Sequence, residues 1–376
     1  MSSLVAAPPV LTPIGAQNHY PSMSAPGLPS LRASVVIVNY NGREDLDRCL
    51  RSVLWQEALD WEVIVIDNAS TDGSPGYIER AFPGVRIIRN GTNQGFGHGN
   101  NVGACHARGE TLVFLNPDTV VEPGWLEPLL AALEANPDVG LVTAKILILA
   151  DPDRVNACGN NIHITGLSLC RGLGQERSAP SAVTEVGGIS GAAFAIRRSL
   201  FETLGGFDER FFMYMEDTDL SWRARLAGHR CLCVPQSVIY HDYYLRFGPL
   251  KTYYQERNRY LMLVKILRWR TLLILLPALL LAELVTWGFV LLRERQRLRN
   301  KLQAYAWIIR HWRQVMDSRR ETQALRQVAD RHLLATTCDR LDFEQTGPGP
   351  AAWLAGTGFN PLFLLLRRLV LAAVRW

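Results

Sequence analysis

The amino-acid sequence predicts an α/β protein built on a mostly parallel sheet with helices on both faces. Three apolar runs rich in β-branched residues, SVVIVN, WEVIVID and TLVFLN, alternate with segments of helical spacing such as DLDRCLRSVLWQ. Strands that are buried on both faces form continuous apolar runs, and their alternation with helices is typical of parallel sheets. In sheets of this kind, ligands bind beyond the carboxyl ends of the strands.

The predicted elements follow one another from Ala33. Strands in SVVIVN, WEVIVID, VRIIRN and TLVFLN are followed by a helix and a strand within WLEPLLAALEANPDVGLVTAKILI. A further helix is predicted from about Glu216 to Ala227, since acidic residues favour the first turn of a helix. Residues 1–32 are rich in Pro, Ser and Ala, which predicts a flexible leader.

Composition excludes two broad classes of protein. Hydrophobic residues make up 48% of the 376 residues and charged residues 20%, which excludes an intrinsically disordered chain. The seven cysteines include no Cys-x-x-Cys pair, so neither a zinc ribbon nor a disulfide framework is predicted. Charge is uneven, because residues 251–335 hold 17 Lys and Arg against 6 Asp and Glu. This basic third predicts an anionic partner, either lipid headgroups or nucleic acid.

The carboxyl ends of three predicted strands carry polar side chains. Pro117 removes a backbone donor and favours an extended Asn116, so the strand ends there and the Asp118 side chain lies beyond its edge. Asn and Asp also form turns, which explains any one of these ends alone. Three in succession favour a shared ligand crevice. Its residues are Asn39, Tyr40, Asn41, Asp67, Asn68, Asn116 and Asp118.

A second group of acids opens the later helix. The run FFMYMEDTD places Glu216, Asp217 and Asp219 directly behind aromatic residues, where burial raises the basicity of a carboxylate. Stabilisation of the first helical turn is the alternative explanation. Asp219 is predicted to pair with Arg223, four residues further on, whereas this pairing gives Glu216 and Asp217 no structural purpose.

Seven segments, taken together and in order, resemble a known enzyme family. They are VVIVNYNG, VIVIDNASTDGS, NQGFGHGNNVG, FLNPDTVVEPGWL, GGISGAAFAIRRSLF, GGFDERFFMYMEDTDLSWR and the later His241. They look like the ordered motifs of family 2 glycosyltransferases with the GT-A fold, the Rossmann-like fold of nucleotide-diphospho-sugar transferases. The Asn-Pro-Asp sequence is similar to that of the bacterial rhamnosyltransferase subgroup. The resemblance covers residues 33–260.

The resemblance implies a nucleotide-sugar donor, either a dTDP-, UDP- or GDP-sugar, and inversion at the transferred sugar carbon. It also implies where this chain would contact that donor. The implied contacts are Asn39, Tyr40 and Asn41 beside the base, Asp67 and Asn68 at the pyrimidine edge, Gly95 and Asn101 near the ribose and diphosphate, and Asn116 and Asp118 at the diphosphate.

Asp118 is further implied as a ligand of Mg²⁺ or Mn²⁺. The family's Asp-x-Asp has Asn116 in its first position here, but Mg²⁺ commonly binds through one or two carboxylates with phosphates and water. His241 is a candidate second ligand, the alternative being a packed or surface histidine. Asp217 is predicted to be the catalytic base, with Glu216 as its rival. The loop GGISGAAFAIRR is either an acceptor-binding loop or a tight strand turn.

The sequence also predicts a membrane-associated helical appendage over residues 251–300. Its apolar run, 271–292, reaches the length needed to cross a bilayer. Basic residues flank that run on both sides and conflict with a simple span. A re-entrant hairpin broken near Pro277 or a helix lying on the membrane surface is therefore favoured. A buried core helix is the remaining alternative.

Residues 301–376 are predicted to form a basic amphipathic helical tail. Apolar residues at helical spacing and a basic opposite face suit an anionic membrane surface. A solvated helix packed on the rest of the protein is the alternative. The last segment, 359–376, is predicted to be too short and too interrupted to span a membrane.

The leading hypothesis is an inverting hexosyltransferase, with rhamnose as the sugar that the resemblance implies and a catalytic domain at 33–250. It would act at the cytoplasmic face of the cell membrane on a glycan or polyprenyl-linked glycan. The apolar run in the basic third disfavours nucleic acid as the partner. Two alternatives are a sugar-nucleotide nucleotidyltransferase, for which NYNGREDL lacks a Gly-rich basic loop, and a silent sugar-nucleotide binder, which would need neither Asp118 nor Asp217.

Overall fold

The computed structural model describes residues 31–56, 60–243, 249–293, 295, 298–347 and 349–376. All but two residues of the predicted leader lie outside this range. The first half alternates strands and helices: β1 (Leu31–Asn39), α1 (Arg43–Leu54), β2 (Trp61–Asp67), α2 (Ser74–Ala81), β3 (Arg86–Arg89), α3 (Phe96–His106), β4 (Gly109–Leu115), β5 (Thr119–Val121), α4 (Leu126–Ala135) and β6 (Val139–Ile148).

Shorter strands and two more helices follow in the middle of the chain. They are β7 (Asp151–Ala157), β8 (Asn160–Ile162), β9 (Ser168–Cys170), β10 (Thr184–Glu185), β11 (Ala193–Arg197), α5 (Arg198–Thr203), a 3₁₀ turn (Glu209–Phe211), α6 (Glu216–Leu226) and β12 (Arg230–His241). The C-terminal third is helical: α7 (Pro249–Ile266), α8 (Trp269–Arg293), α9 (Leu298–Arg310), α10 (Trp312–Ala324), α11 (Asp330–Ala335), a 3₁₀ turn (Phe343–Thr346) and α12 (Pro350–Ala373).

The main sheet has the strand order β10-β12-β6-β11-β4-β1-β2-β3. The predicted α/β class is confirmed, and β3, β2, β1 and β4 run parallel as expected. The sheet as a whole is mixed, because β11 runs antiparallel to both of its neighbours, β4 and β6. Its first residue, Ala193, pairs with Leu115 at the end of β4. Strand β11 thus begins at the edge of the sheet where β4 ends, and it runs in the direction opposite to β4.

Alternating side chains of the central strands fill two cores, one on each face of the sheet. Val35 and Ile37 of β1 pack with α1, α2 and α4 on one face. Val36 and Val38 pack with α3, α5 and α6 on the other. Successive strand residues point to opposite faces, so a strand that is apolar throughout must be covered on both sides.

Strand β1 begins at Leu31, two residues before the predicted start of ordered sequence. The side chain of Arg32 forms ion pairs with Glu127 at 2.6 Å and Glu134 at 2.9 Å, both on α4. These contacts hold the first residues of the strand against the neighbouring helix α4. The predicted boundary at Ala33 is therefore corrected to Leu31.

The C-terminal helices form a third apolar core with α6. Trp222 of α6 and Leu263 of α7 lie in this core with Leu275 of α8 and Val370 of α12. Helix α8 continues from Trp269 to Arg293 with Pro277 inside it, so the predicted hairpin break at this proline is wrong. Leu275 and Leu279, two residues before and after the proline, pack in this core, and their packing offsets the lost backbone hydrogen bond.

Two described helices, Trp269–Leu291 within α8 and Pro350–Ala373, are long and apolar enough to cross a membrane by length and composition. The prediction that the chain end is too short to span is wrong, because α12 begins at Pro350 and is 24 residues long. The amphipathic tail of the prediction forms the separate helices α9, α10 and α11. Both α9 and α10 pack against α7.

Candidate functional site

The ends of β1 and β2 form a buried polar corner. The register pairs Asn39 with Asp67, and the Asn39 amide donates to Asp67 Oδ1 at 3.2 Å and to Ser74 Oγ at 2.9 Å. The second oxygen of Asp67 accepts the Ser70 backbone N–H at 3.0 Å. Parallel strands end at one edge of a sheet, and this corner is the first part of the predicted crevice.

The turn after β1 presents an exposed aromatic ring above this corner. Tyr40 is 53% exposed, whereas Asn41 holds the turn in a left-handed conformation at φ 52°. The Asn41 N–H donates to Ser70 Oγ at 2.9 Å, and its side-chain oxygen accepts the Thr71 N–H at 2.7 Å. Asn tolerates this backbone conformation better than most residues. Tyr40 is thus free to contact a flat ligand, and Asn41 supports it.

Asn68 connects the end of β2 to the Gly-rich loop before α3. Its amide donates to the Gly95 carbonyl at 3.0 Å and its oxygen accepts from Asn90 at 2.8 Å. Gly95 has φ +91°, and a Cβ at this position would lie 2.2 Å from the Phe212 carbonyl oxygen. Only glycine permits this close approach of two backbones.

Asn101 makes its hydrogen bonds within the protein. Its amide donates to the Phe207 carbonyl and to Glu209, each at 2.9 Å, and its oxygen accepts the Phe207 N–H at 2.8 Å. The side chain is buried, and these three bonds tie α3 to the loop before α6. The expected contact of Asn101 with the ribose and diphosphate stays a prediction.

Asp118 and His241 come together at the far side of the crevice. Strand β5 pairs with β12, which sets Thr119 opposite His241 and brings His241 Nε2 to 3.3 Å from Asp118 Oδ1. The other ring nitrogen, Nδ1, lies 3.0 Å from Asn156 Oδ1. With that oxygen as acceptor, Nδ1 carries the proton and Nε2 turns its lone pair towards Asp118.

These atoms fit a divalent cation. His241 Nε2 and Asp118 Oδ1 face each other at 3.3 Å, a spacing at which both atoms can ligate one cation when the ring is neutral. Within the described chain, Asp118 Oδ1 and Asn116 Oδ1 are buried and receive no hydrogen bond. The Asn156 contact is of the kind that orients the histidine in metal sites, where the other ring nitrogen is held by a hydrogen bond. The described residues hold no cluster of three or more His, Cys, Asp or Glu, so phosphate oxygens and water would complete the coordination.

Further charges that the sequence did not single out surround this pair. Arg48 of α1 contacts Asp45 at 2.7 Å and Asp242 at 3.2 Å, and the Asp242 N–H donates to the Asp118 carbonyl. Burial raises the pKa of Asp45 against the effect of Arg48, and the charges of Asp118 and Asp242 add to the rise. Three carboxylates against one arginine give this part of the crevice a net negative charge, which suits a cation.

Asp217 accepts four hydrogen bonds at the start of α6. Oδ2 receives the Gly191 N–H at 2.9 Å and the Asn160 amide at 3.1 Å, and Oδ1 receives the Thr218 N–H at 2.6 Å and its hydroxyl at 3.2 Å. Burial raises the pKa of Asp217 although these bonds oppose the rise. The carboxylate is fixed in orientation and remains partly open to solvent.

Glu216 differs from its neighbour. It is buried, and its Oε2 receives no hydrogen bond within the described chain. Burial, followed by the charge of Asp217, raises the pKa of Glu216 to about 8. Glu216 and Asp217 are adjacent, so the two carboxyls titrate as a coupled pair, and burial favours the protonated form of both. Asp219 forms the predicted ion pair with Arg223 at 2.7 Å, which confirms its structural explanation.

A short path of contacts joins the two acidic centres. Asp217 accepts from the Gly191 N–H, and the next residue, Ala192, accepts the Asn116 N–H at 2.9 Å. Asp118 follows two residues after Asn116. The end of the loop GGISG lies between them and leads into β11. Asp118 and Asp217 thus lie on the same edge of the sheet.

Two residues of the site carried no sequence signal. Asn156 contacts His241 and Asn160 contacts Asp217, yet the polar segment RVNACGNN, which forms the end of β7 and the start of β8, has no apolar pattern that predicts a strand. Asparagine is common in such segments as a turn former. Only the packing of β7 against β6 and of β8 against the Gly188 backbone brings them to the site.

Comparisons with known proteins agree with this geometry. The family model "Glycosyl transferase family 2" matches residues 34–205. An "N-acetylglucosaminyl-diphospho-decaprenol L-rhamnosyltransferase" of Mycobacterium tuberculosis is 33% identical over 237 residues, covering 55% of this chain and 75% of the relative. The "O-antigen biosynthesis protein RfbC" of Myxococcus xanthus is 30% identical, covering 61% of this chain but 18% of its own length.

Solved structures share the fold at low sequence identity. Residues 1–349 of S. aureus TarS superpose with a TM-score of 0.52 at 16% identity, covering 90% of each chain. GalNAc-T7, solved with UDP, GalNAc and Mn²⁺, has a TM-score of 0.53 at 22% identity, covering 63% of this chain and 48% of the other. With the fold, the crevice and the relative of 33% identity in agreement, the chain belongs to glycosyltransferase family 2 and is a glycosyltransferase of the GT-A fold.

Proposed function

We propose that this enzyme transfers a hexosyl group, with rhamnose the first candidate, from a nucleoside-diphosphate sugar to a hydroxyl of a polyprenyl-linked glycan. The mycobacterial relative named as an L-rhamnosyltransferase for a diphospho-decaprenol substrate supports both the sugar and the class of acceptor. The observation that carries the proposal is the contact path from Asp217 through Gly191 and Ala192 to Asn116, which sets a base beside a candidate cation site.

The donor nucleoside would occupy the polar corner at the ends of β1 and β2. Tyr40, with its exposed ring, is placed to cover the base, and Asn39 and Asn41 shape the turn beneath it. Asp67 and Asn68 offer the remaining polar groups of the corner. The Gly95 loop, held by Asn68, borders the ribose and diphosphate.

Asp118 and His241, with the Asn116 oxygen nearby, would hold Mg²⁺ or Mn²⁺ at the diphosphate. The bound ion would stabilise the negative charge that grows on the departing nucleoside diphosphate. Asn156 keeps the lone pair of His241 Nε2 directed at this position. Both Mg²⁺ and Mn²⁺ suit one carboxylate with phosphate oxygens, and imidazole favours Mn²⁺ over Mg²⁺.

Asp217 acts as the base in a single displacement. The acceptor hydroxyl oxygen bonds to the sugar carbon, the bond from that carbon to the diphosphate oxygen breaks, and the hydroxyl proton passes to Asp217. Attack from the face opposite the leaving group inverts the sugar carbon. The rival, Glu216, keeps its own proton near neutral pH, since burial raises the pKa of Glu216 to about 8. General base catalysis of this kind contributes about 10²–10⁴ in rate.

A donor panel with matched variants tests this assignment. Release of nucleoside diphosphate from dTDP-, UDP- and GDP-sugars would be measured with and without Mn²⁺, using a polyprenyl diphosphate-linked N-acetylglucosamine as acceptor. We expect Asp217→Asn to lower kcat by about 10²–10⁴ with little change in donor affinity. Asp118→Ala should weaken donor binding as well.

The outcomes separate the competing functions. Normal turnover in Asp217→Asn would remove Asp217 as the base. Release of inorganic diphosphate from a nucleoside triphosphate and a sugar phosphate would instead indicate a nucleotidyltransferase. Donor binding without turnover of any panel member would indicate a silent binder. Glu216→Gln is the matched control, because the amide replaces a group that is already uncharged at neutral pH.

We further propose that α8 and α12 rest on the cytoplasmic surface of an anionic membrane. Large apolar side chains on α8 recur at helical spacing on one exposed face, and α12 adds a second row. The rows are Trp269, Leu273, Leu276, Leu280 and Leu284 on α8, and Leu354, Leu362, Leu365 and Leu369 on α12. The surplus of Lys and Arg in residues 251–335 complements anionic lipid headgroups.

The ion pairs of Glu283, which lies on α8 beside the leucine row, support a surface position over a span. Glu283 pairs with Arg259 of α7 at 2.6 Å and with Lys301 of α9 at 3.2 Å. A spanning α8 would have to carry these charged helices into the hydrocarbon region or break the pairs. With α8 in the plane of the surface, its leucine row faces lipid and Glu283 remains paired within the protein.

Flotation and labelling test the two parts of this membrane proposal. We expect a triple variant, Leu273→Asn/Leu280→Asn/Leu284→Asn, no longer to float with vesicles that contain anionic lipid. The control variant, Leu54→Asn/Val183→Asn, should float like the unmodified protein. Gln303→Cys should resist an impermeant maleimide in intact cells and react in inverted vesicles. Labelling in intact cells would show that α8 crosses the membrane.

A further inference from the structure

The loop before the acidic pair holds an unusual backbone. Three non-glycine residues between the 3₁₀ turn and α6 have left-handed φ angles: Phe212 at 62°, Tyr214 at 65° and Met215 at 71°. A bulky side chain disfavours this region, so such residues persist only where the surrounding structure enforces them. Glu216 and Asp217 follow directly, and the path of this loop therefore sets where the two acids lie.

Helix α7 supplies what holds the loop. The amide nitrogen of Asn258, which is fully buried, lies 3.0 Å from the Phe211 carbonyl, 2.9 Å from that of Met213 and 2.7 Å from that of Tyr214. Its two N–H groups are therefore shared among three carbonyl oxygens. One side chain thus fixes the peptide group before Phe212 and the peptide groups on both sides of Tyr214.

Arg257 also holds this loop, and Asn258 and Arg257 together form a clamp on it. Its Nη2 donates to the Arg210 carbonyl at 2.6 Å and to the Phe211 carbonyl at 2.8 Å, and its Nε donates to Asn258 Oδ1 at 2.9 Å. The guanidinium lies against the rings of Tyr254 and Trp307, each at 4.7 Å. Arg257 therefore orients the Asn258 amide so that its nitrogen faces the loop.

The same loop also contacts the donor side of the crevice. The Phe212 carbonyl accepts the Phe96 N–H at 2.8 Å, directly after Gly95, and the Phe212 ring stacks on Tyr254 of α7 at 5.3 Å. A shift of the loop would therefore move the acidic pair and the Gly95 loop relative to each other.

We propose that Asn258, oriented by Arg257, is a positioning residue that fixes the Glu216–Asp217 pair against the Gly95 loop. This inference rests on the proposed role of Asp217 as the base. It also means that α7, the first helix after the sheet domain, is part of the catalytic unit. Asn258 touches neither substrate nor reacting atoms in this assignment and acts through the loop backbone.

Steady-state kinetics on the full-length protein, with dTDP-rhamnose and polyprenyl diphosphate-linked N-acetylglucosamine, test the clamp. We expect Asn258→Ala to lower kcat by about 100-fold, the cost of a small misplacement of a catalytic group, with donor KM changed less than about threefold. Amide hydrogen exchange of residues 211–217 should accelerate in the same variant. Arg257→Lys keeps the charge but loses the fork of donors, and should lower kcat by about tenfold.

The matched control is Asn360→Ala. Asn360 also bonds backbone, at the N–H and carbonyl of Leu341, but lies on α12 away from the loop. Its kcat should stay within about twofold of the unmodified enzyme. Equal kcat in Asn258→Ala and Asn360→Ala would overturn the proposal. If Asn258→Ala does not fold, unchanged kcat and exchange in Arg257→Lys would overturn it.

Different results would refute Asp217 as the base and Asn258 as a positioning residue. Full activity in Asp217→Asn would remove the proposed base whatever Asn258 does. Loss of activity in Asp217→Asn together with normal kcat in Asn258→Ala would leave the base in place and remove only the clamp.

Discussion

Substituting Lys265 with methionine should destabilise the protein and show how the helical third is fastened to the sheet domain. Lys265 of α7 is buried, and its Nζ lies 2.5 Å from Asp208 Oδ2 and 2.9 Å from Asp219 Oδ1. Asp219 belongs to α6, the helix that begins with the acidic pair. Lys265→Met keeps the length and most of the volume of the side chain while it removes the charge between two buried carboxylates.

The expected loss in the free energy of unfolding depends on the ion pairs that remain in the variant. Removing one partner of a buried ion pair costs about 3–5 kcal/mol. Each aspartate retains an arginine, Arg210 for Asp208 and Arg223 for Asp219, so the lower end, about 3 kcal/mol, applies. The entropy of unfolding is about 2.1 cal/mol/K per residue, or about 0.8 kcal/mol/K for 376 residues. Tm should therefore fall by about 4 °C.

The pH dependence provides a second check. Burial alone would raise the pKa of Asp208, but Arg210 and Lys265 outweigh it and hold this pKa well below its usual range. A carboxyl with a lowered pKa stabilises the folded state fully above its unfolded pKa of about 3.9, and this contribution is lost as pH falls through the folded pKa. The difference in Tm should thus be equal at pH 7 and pH 5 and shrink below about pH 4.

Scanning calorimetry of the unmodified protein, Lys265→Met and a control measures this difference. The control is Arg230→Met, which breaks an exposed ion pair to Asp138 of 2.6 Å. Exposed pairs contribute about 0–1 kcal/mol, so its Tm should change by about 1 °C or less. A Tm of Lys265→Met that equals the control's would refute the assigned role of this buried cation.

Two further variants probe the crevice. Gly95→Ala should lower kcat/KM by at least about tenfold, because its Cβ would lie 2.2 Å from the Phe212 carbonyl oxygen and its φ is +91°. Gly91→Ala, which has open space around the Cβ, is the control. Equal kinetics for the two variants would contradict the close approach of the Gly95 and Phe212 backbones. Asn156→Leu removes the partner of His241 Nδ1 and should weaken Mn²⁺ binding in isothermal titration by about tenfold relative to Asn136→Leu. Unchanged titration curves for Asn156→Leu would argue against His241 as a ligand.

Local patterns in the sequence were enough to predict the strand ends. Asn39, Asp67 and Asn116 follow apolar β-branched runs, and parallel strands place such ends at one edge, as the register of β1 with β2 and β4 confirms. The Asp219–Arg223 pair was predictable because both residues lie on one helix, four positions apart. The predictions of a hairpin break at Pro277 and of a short chain end were wrong, because α8 packs in the core on both sides of the proline and α12 already begins at Pro350.

The sequence by itself determined the α/β class, the polar strand ends and the acidic start of α6, since each depends on residues close together in the chain. Only the tertiary structure decided that His241 meets Asp118, that Asn156 and Asn160 orient His241 and Asp217, and that Asn258 holds the loop before the acidic pair. Each of these contacts joins residues far apart in sequence. Such contacts exist only after β5 pairs with β12 and α7 packs against α6, and hydrophobic periodicity carries no information about that pairing.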